Sequence, residues 1–219
     1  MRPHRTAGIV MLTLVLLLAL APAGPPRAQE VRPVGTVAAL VGQASVLRFG
    51  EQAPAPLAPG AALIEGDRLR TGPDGRVRIE LADGSTLQLG QSTELTLSWV
   101  LHAPALETTN VVLDLSTGIL RAIVETLLPH AAFEIQSATA ITSVRGTDLI
   151  LEAAPETTAV VALEGSVLVR SAAPEIPDAV TLEAGEGTDV AAGAPPAPPV
   201  RWGEARRDDF VARTDVPAR

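Results

Sequence analysis

Several side-chain types are missing from this 219-residue chain, and each absence removes a chemistry. With no Cys there is no disulfide, no thiolate nucleophile, no zinc–thiolate site and no acylated lipoprotein cysteine. All 17 basic residues are Arg, so there is neither a Schiff-base lysine nor a P-loop lysine. Tyr is absent as well, and the aromatics are Phe49, Trp99, Phe133, Trp202 and Phe210. Of three His, His4 precedes the body of the chain, so only His102 and His130 remain and a three-His metal site is excluded. A formal net charge of −8 argues against a nucleic-acid partner, which needs a basic field and usually stacking aromatics.

What is present begins with a leader. Arg2, His4 and Arg5 precede an apolar run from Gly8 to Ala21, and small residues and prolines follow up to Glu30. This is the pattern of a secretory signal peptide, with cleavage after Ala28 or Ala23. An uncleaved anchor is the competing reading, but a span needs roughly 20 apolar residues and this run ends early in prolines. Removal of residues 1–28 takes away Arg2, Arg5 and Arg27 and no acid, which leaves the exported body at −11.

From Val34 to about Val190 the chain reads as short β-type runs separated by turn residues, with no window of sustained helical period. Alternation is strict at Val77–Leu81 and Leu95–Trp99, so these strands bury one face. Val160–Leu163 is evenly apolar, as for a strand covered on both sides. Gly72-Pro73-Asp74-Gly75 is a turn by composition. At Asp83-Gly84, a two-residue loop would pair Leu81 with Thr86 and mix apolar with polar faces. Adding Ser85 pairs Leu81 with Leu87 and Ile79 with Leu89, so the expectation is a three-residue loop with a bulge, or a solenoid corner. Gly42, Gly118 and Gly165 each precede an aliphatic strand at unequal spacings, which keeps a solenoid open beside a sandwich.

The expected architecture is thus all-β: a single domain of many short strands, β-sandwich or short β-solenoid-like, with a proline-rich linker and short C-terminal segment. Its parts are the leader at 1–28, the β domain at 29–190, a Pro/Ala-rich linker at 191–201, and residues 202–219, helical or mobile.

The stretch from Leu57 to Leu89, with Gly66-Asp67, Thr71, the Pro-Asp-Gly turn and Asp83-Gly84-Ser85, resembles the signature of the FecR-protein domain. Later blocks follow in order: Gly118-Ile119-Leu120, Phe133–Ile135, Arg145-Gly146-Thr147, Glu164-Gly165 and Gly185-Glu186. The resemblance covers residues 34 to 190. It implies an all-β periplasmic domain, best known from regulators that relay a signal from an outer-membrane transducer to a cytoplasmic sigma factor. Only seven residues precede the apolar run and nothing after the β domain resembles the transducer-binding subdomain, so a stand-alone exported domain is expected rather than a sigma-factor regulator.

Other site chemistries fare poorly. Asp67, Asp74 and Asp83 lack the spacing of a calcium loop. Asp148, Glu152 and Glu164 lack a sugar-stacking platform that would make them a glycosidase pair. Ser85, Ser143 and Ser166 are not in a nucleophile elbow. No catalytic residue, cofactor or metal is expected. The signature positions Gly66, Asp67, Thr71, Asp83, Gly84, Ser85, Arg145, Gly146, Thr147, Glu164 and Gly165 read as structural, with Gly146 as a bulge and Arg145 tied to an acidic neighbour. Trp202 and Phe210 are the candidate partner contacts. The expected function is a non-enzymatic interaction or signalling module in the bacterial cell envelope with an unidentified protein partner. The alternatives are a glycan- or peptidoglycan-binding module and, less favoured, a β-helical carbohydrate-active enzyme.

Overall fold

The structure, a computed structural model, describes residues 33–103, 108–125 and 132–217, all within the compact unit Val31–Arg219. The leader and His130 lie outside the described residues. The short alternating runs become strands: β1 (Gly35–Val41), β2 (Ala44–Leu47), β3 (Ala55–Pro56), β4 (Ala62–Leu63), β5 (Arg68–Thr71), β6 (Arg76–Leu81), β7 (Thr86–Leu89), β8 (Glu94–Ala103) and β9 (Thr108–Ile123). After these come β10 (Ala132–Gln136), β11 (Ala140–Val144), β12 (Asp148–Ala154), β13 (Thr157–Glu164), β14 (Ser166–Ser171), β15 (Ala179–Glu183), β16 (Glu186–Ala191) and β17 (Val200–Arg201). One helix, α1 (Glu204–Thr214), follows; among the described residues no helix is long and apolar enough to cross a membrane.

The strands form two layers. The upper runs in the order β4-β1-β6-β7-β9-β12-β13-β16-β17, and the lower in the order β3-β2-β5-β8-β9-β10-β11-β14-β15. Every ladder is antiparallel except β9–β10. Parallel stacking is the mark of a solenoid, so the choice left open by the sequence falls to the sandwich-like arrangement. Inward residues of both layers, among them Ile79, Leu87, Leu97, Leu113, Leu120, Leu151 and Val169, make one apolar cluster.

β9 belongs to both layers. Up to Thr117 it pairs with β8 in the lower layer, and from Gly118 onward it pairs with β12 in the upper. By sequence this stretch reads as two strands, Val111–Leu115 and Ile119–Glu125; Gly118, at φ +95°, lets one strand turn the corner instead. Gly42 and Gly165 hold the same office between β1 and β2 and between β13 and β14, which explains the recurrence without a repeat.

The Asp83 hairpin does have a three-residue loop, but its members are Ala82, Asp83 and Gly84. Ile79 faces Leu87 and Val77 faces Leu89, and the Leu81 amide donates to the Ser85 carbonyl. The parity rule held, because apolar residues face apolar ones. The register differs from expectation by two residues, a shift that parity cannot detect.

Candidate interaction surface

The signature residues build corners. Asp67 is fully buried, and its carboxylate accepts from the Arg48 guanidinium at 2.6 Å, the Ile64 amide at 3.0 Å and the Phe49 amide at 3.3 Å. One side chain therefore ties the end of β2 to the turn before β5. Gly66 takes φ +85° beneath the Phe49 ring, which leaves no room for a Cβ. The Thr71 hydroxyl donates to the Gly90 carbonyl at 2.7 Å and accepts from the Thr93 amide at 2.8 Å. Thr93 continues the chain of contacts, accepting from the Ile119 amide at 3.0 Å. Thr93 was not singled out from sequence, since a Thr bridging three corners has no local signature.

The Asp83 carboxylate accepts from the Ser85 amide at 3.0 Å and so closes its own turn. Gly146 adopts φ +63°, and Gly165 lies against it closely enough that a Cβ would come 2.8 Å from the Gly146 carbonyl. Thr147, nearly buried, donates its hydroxyl to the Ser166 carbonyl at 3.1 Å. Glu164 faces Asp148 across the β12–β13 bulge. Arg145 departs from expectation: its guanidinium has no ion pair among the described residues. The acid in its block, Asp148, is taken by Arg121 in a two-pronged pair at 2.9 and 2.6 Å.

These pairings bear on chemistry. Asp67 is committed to Arg48, Asp148 to Arg121 and Glu152 to Arg213. Hydrogen bonding to Asp148 holds the Arg121 guanidinium above its ordinary range against the opposing effect of burial, and Glu152 does the same for Arg213. Among the described residues, no three His, Asp or Glu gather where they could hold a metal ion.

The outer faces of the two layers differ. On the upper layer, Ile119, Ile150, Ala159 and Val161 point outward under a cover made by Trp202 and Phe210. β13 is thereby buried on both sides, as its even run of apolar residues predicted. The two rings meet edge-to-face at 5.2 Å, and the Arg206 guanidinium lies 3.4 Å over the Trp202 ring. Gly187 gives the indole its seat, because any Cβ there would collide with it. Arg213–Glu152, and Arg206–Asp189 at 3.0 Å, pin the helix. The candidate partner contacts thus prove to be internal: Trp202 and Phe210 are 4% and 5% exposed and cover the chain's own sheet. They meet because Trp202 sits just before the helix and Phe210 within it.

The outer face of the lower layer has no such cover among the described residues. A row of cross-strand neighbours runs Trp99, Val112, Glu134, Ser143, Leu168, Thr181. Trp99 is 57% exposed and Leu168 43%. Around Leu168 lies an open cleft of about 440 Å³ whose lining includes Ala132, Glu134, Ser143, Arg145, Ser166 and Thr181. The other arginines of this face are ion-paired: Arg68 and Arg70 to Glu94, and Arg170 to Glu134. The feature that sequence reading missed is Trp99 as part of an open face. Its strand alternates, but a bulge between Leu97 and Trp99 turns the indole outward where simple alternation places it with the buried leucines.

A family model described as FecR protein matches residues 67–168, which lies inside the stretch whose motifs carried that resemblance. No curated protein matches the chain. Two crystal structures of a candidate anti-sigma factor from Parabacteroides distasonis, at 1.65 and 2.50 Å resolution, share the fold with TM-scores of 0.53 at 15% identity. The alignment covers 66% of this chain and 64% and 63% of theirs, so this chain spans less than two thirds of their length.

Proposed function

Because residues 67–168 are a FecR domain, we propose that this chain is a non-enzymatic signalling module of the bacterial cell envelope that works by binding a protein partner. The observation that carries the reading is the contrast between the two layers. The apolar upper face is closed by the chain's own C-terminal segment, while the lower face leaves Trp99 and Leu168 in solvent, the kind of aliphatic and aromatic exposure that marks an interaction surface. The leader of the sequence supports export. The structural neighbours support the fold and, through what one is described as doing, a regulatory setting.

A photo-crosslinking amino acid at Leu168 or Trp99, in cells that express the chain naturally, tests this. A discrete protein adduct is expected at these positions and not at Asp208, which is exposed on α1. Equal labelling at all three positions, or none at any, contradicts the reading.

A further inference from the structure

The lower layer ends in an open strand. β15 pairs with β14, and among the described residues no strand pairs with its other side. The other terminal strands, β3, β4 and β17, have two residues each, so β15 is the longest strand at the end of a layer among the described residues, and it has no proline within it. The direction of its backbone groups follows from one contact. The Glu183 amide donates not to β14 but to the Glu186 carboxylate, at 3.0 Å. Backbone groups alternate sides along a strand, so Ala179, Thr181 and Glu183 all present N–H and C=O outward from the sheet. Natural edges are blunted by proline, bulges, lysine or a covering loop. Here the blunting contact is one glutamate side chain on one amide.

Side chains select the occupant. Leu182 is buried and Val180 half-buried on the inner side, so an added strand with apolar residues at alternate positions would extend the core over Val180. Around the edge, Glu175, Asp178 and Glu183 are exposed and none has an ion pair among the described residues. A second copy of this chain fits badly. In the two-fold register about Thr181, Glu183 would sit opposite Ala179 and beside Asp178 of the other copy, a like-charge contact repeated by symmetry. A basic strand meets attraction at the same places.

We propose that β15 is an edge for strand addition, which takes an extended segment of a protein partner carrying apolar residues at alternate positions and Lys or Arg between them. The proposal deepens the reading of the chain as an interaction module by naming the contact. The probe is a short capped peptide alternating valine with lysine, compared with one alternating valine with glutamate and one N-methylated along its bonding edge. The lysine peptide is expected to bind and to slow hydrogen exchange at the amides of Ala179, Thr181 and Glu183. N-methylation should abolish binding. Thr181→Pro, which removes an N–H that the β14 ladder does not use, should weaken it about tenfold or more. The methylated peptide keeps the test sound if that variant does not fold. No saturable binding of the lysine peptide, binding indifferent to methylation, or equal binding of the glutamate peptide each overturns the proposal. So does edge protection that rises with protein concentration without peptide, which assigns the edge to a second copy. If Thr181→Pro keeps its cellular adduct at Leu168 in full, the edge assignment falls and the module reading stands. If adducts fail while the peptide still protects the edge, the module reading falls alone.

Discussion

Asp67 has no contact with solvent, yet it is ionisable, and its cost of burial is offset by three donors. Replacing it with Ala leaves two amides and the Arg48 guanidinium short of an acceptor, so Asp67→Ala is expected to lower stability by about 2–4 kcal/mol in urea unfolding. Arg48→Ala should be nearly as harmful, because it strands the buried carboxylate, and a change under about 0.5 kcal/mol would refute this account of the knot. Gly118→Ala is a purely steric counterpart. Its φ of +95° disfavours any side chain by about 1–2 kcal/mol, and a Cβ would strike the Thr93 backbone, so the combined loss should exceed about 2 kcal/mol. The signature motif marked Gly66, Asp67 and Thr71 as important, but their reasons are tertiary: a ring above one, a guanidinium beside the second, two corners bridged by the third.

At the scale of elements, α1 and the residue stretch before it act as a clamp on the upper layer. The fragment from Glu204 to Thr214 has too few residues for a stable helix by itself, so its helicity depends on docking. The two tryptophans report on that docking because they live in opposite environments. Trp202 should resist acrylamide quenching and Trp99 should not. Measuring Trp99→Phe and Trp202→Phe separately distinguishes them, and equal accessibility would mean that the clamp is open in solution. Gly187→Ala should lift the indole from its seat, shift its emission to the red and cost about 1–3 kcal/mol. Phe210→Ala is expected to cost about 3–5 kcal/mol by the loss of a buried ring. The Arg213 guanidinium, which ties the clamp to Glu152, is held above its ordinary range. An upward shift gives a contribution that is complete below the unfolded value and lost only as pH rises through the folded one. The arginine side of this pair therefore supplies no loosening between neutral and moderately alkaline pH, which Trp202 emission can follow.

For the whole molecule, the covered upper face and the lower face left open among the described residues fit the proposed scaffold, whose contacts would be made on one side. If the chain is exported, the intact mass recovered from the periplasm should begin after Ala28 or Ala23, whereas a mass that includes Met1 would argue for a retained anchor. The all-β class, strand positions such as Val77–Leu81 and the doubly buried β13 were legible in the amino-acid order, because alternation and turn chemistry are local properties with a period of two. Less legible was the hairpin at Asp83, where parity was sound and register was not. Unreadable were the joining of the Val111–Leu115 and Ile119–Glu125 runs into β9, the lack of an ion pair for Arg145 among the described residues and the destination of Trp202 and Phe210. The first depends on which strands flank Gly118 and the second on which cation reaches Asp148. The third depends on whether a sheet face far away in sequence has room for an indole over Gly187. Local order prescribes which residues turn inward and which outward; only the assembled layers decide which outward face is covered, since that is set by contacts between segments whose separation leaves no periodic trace.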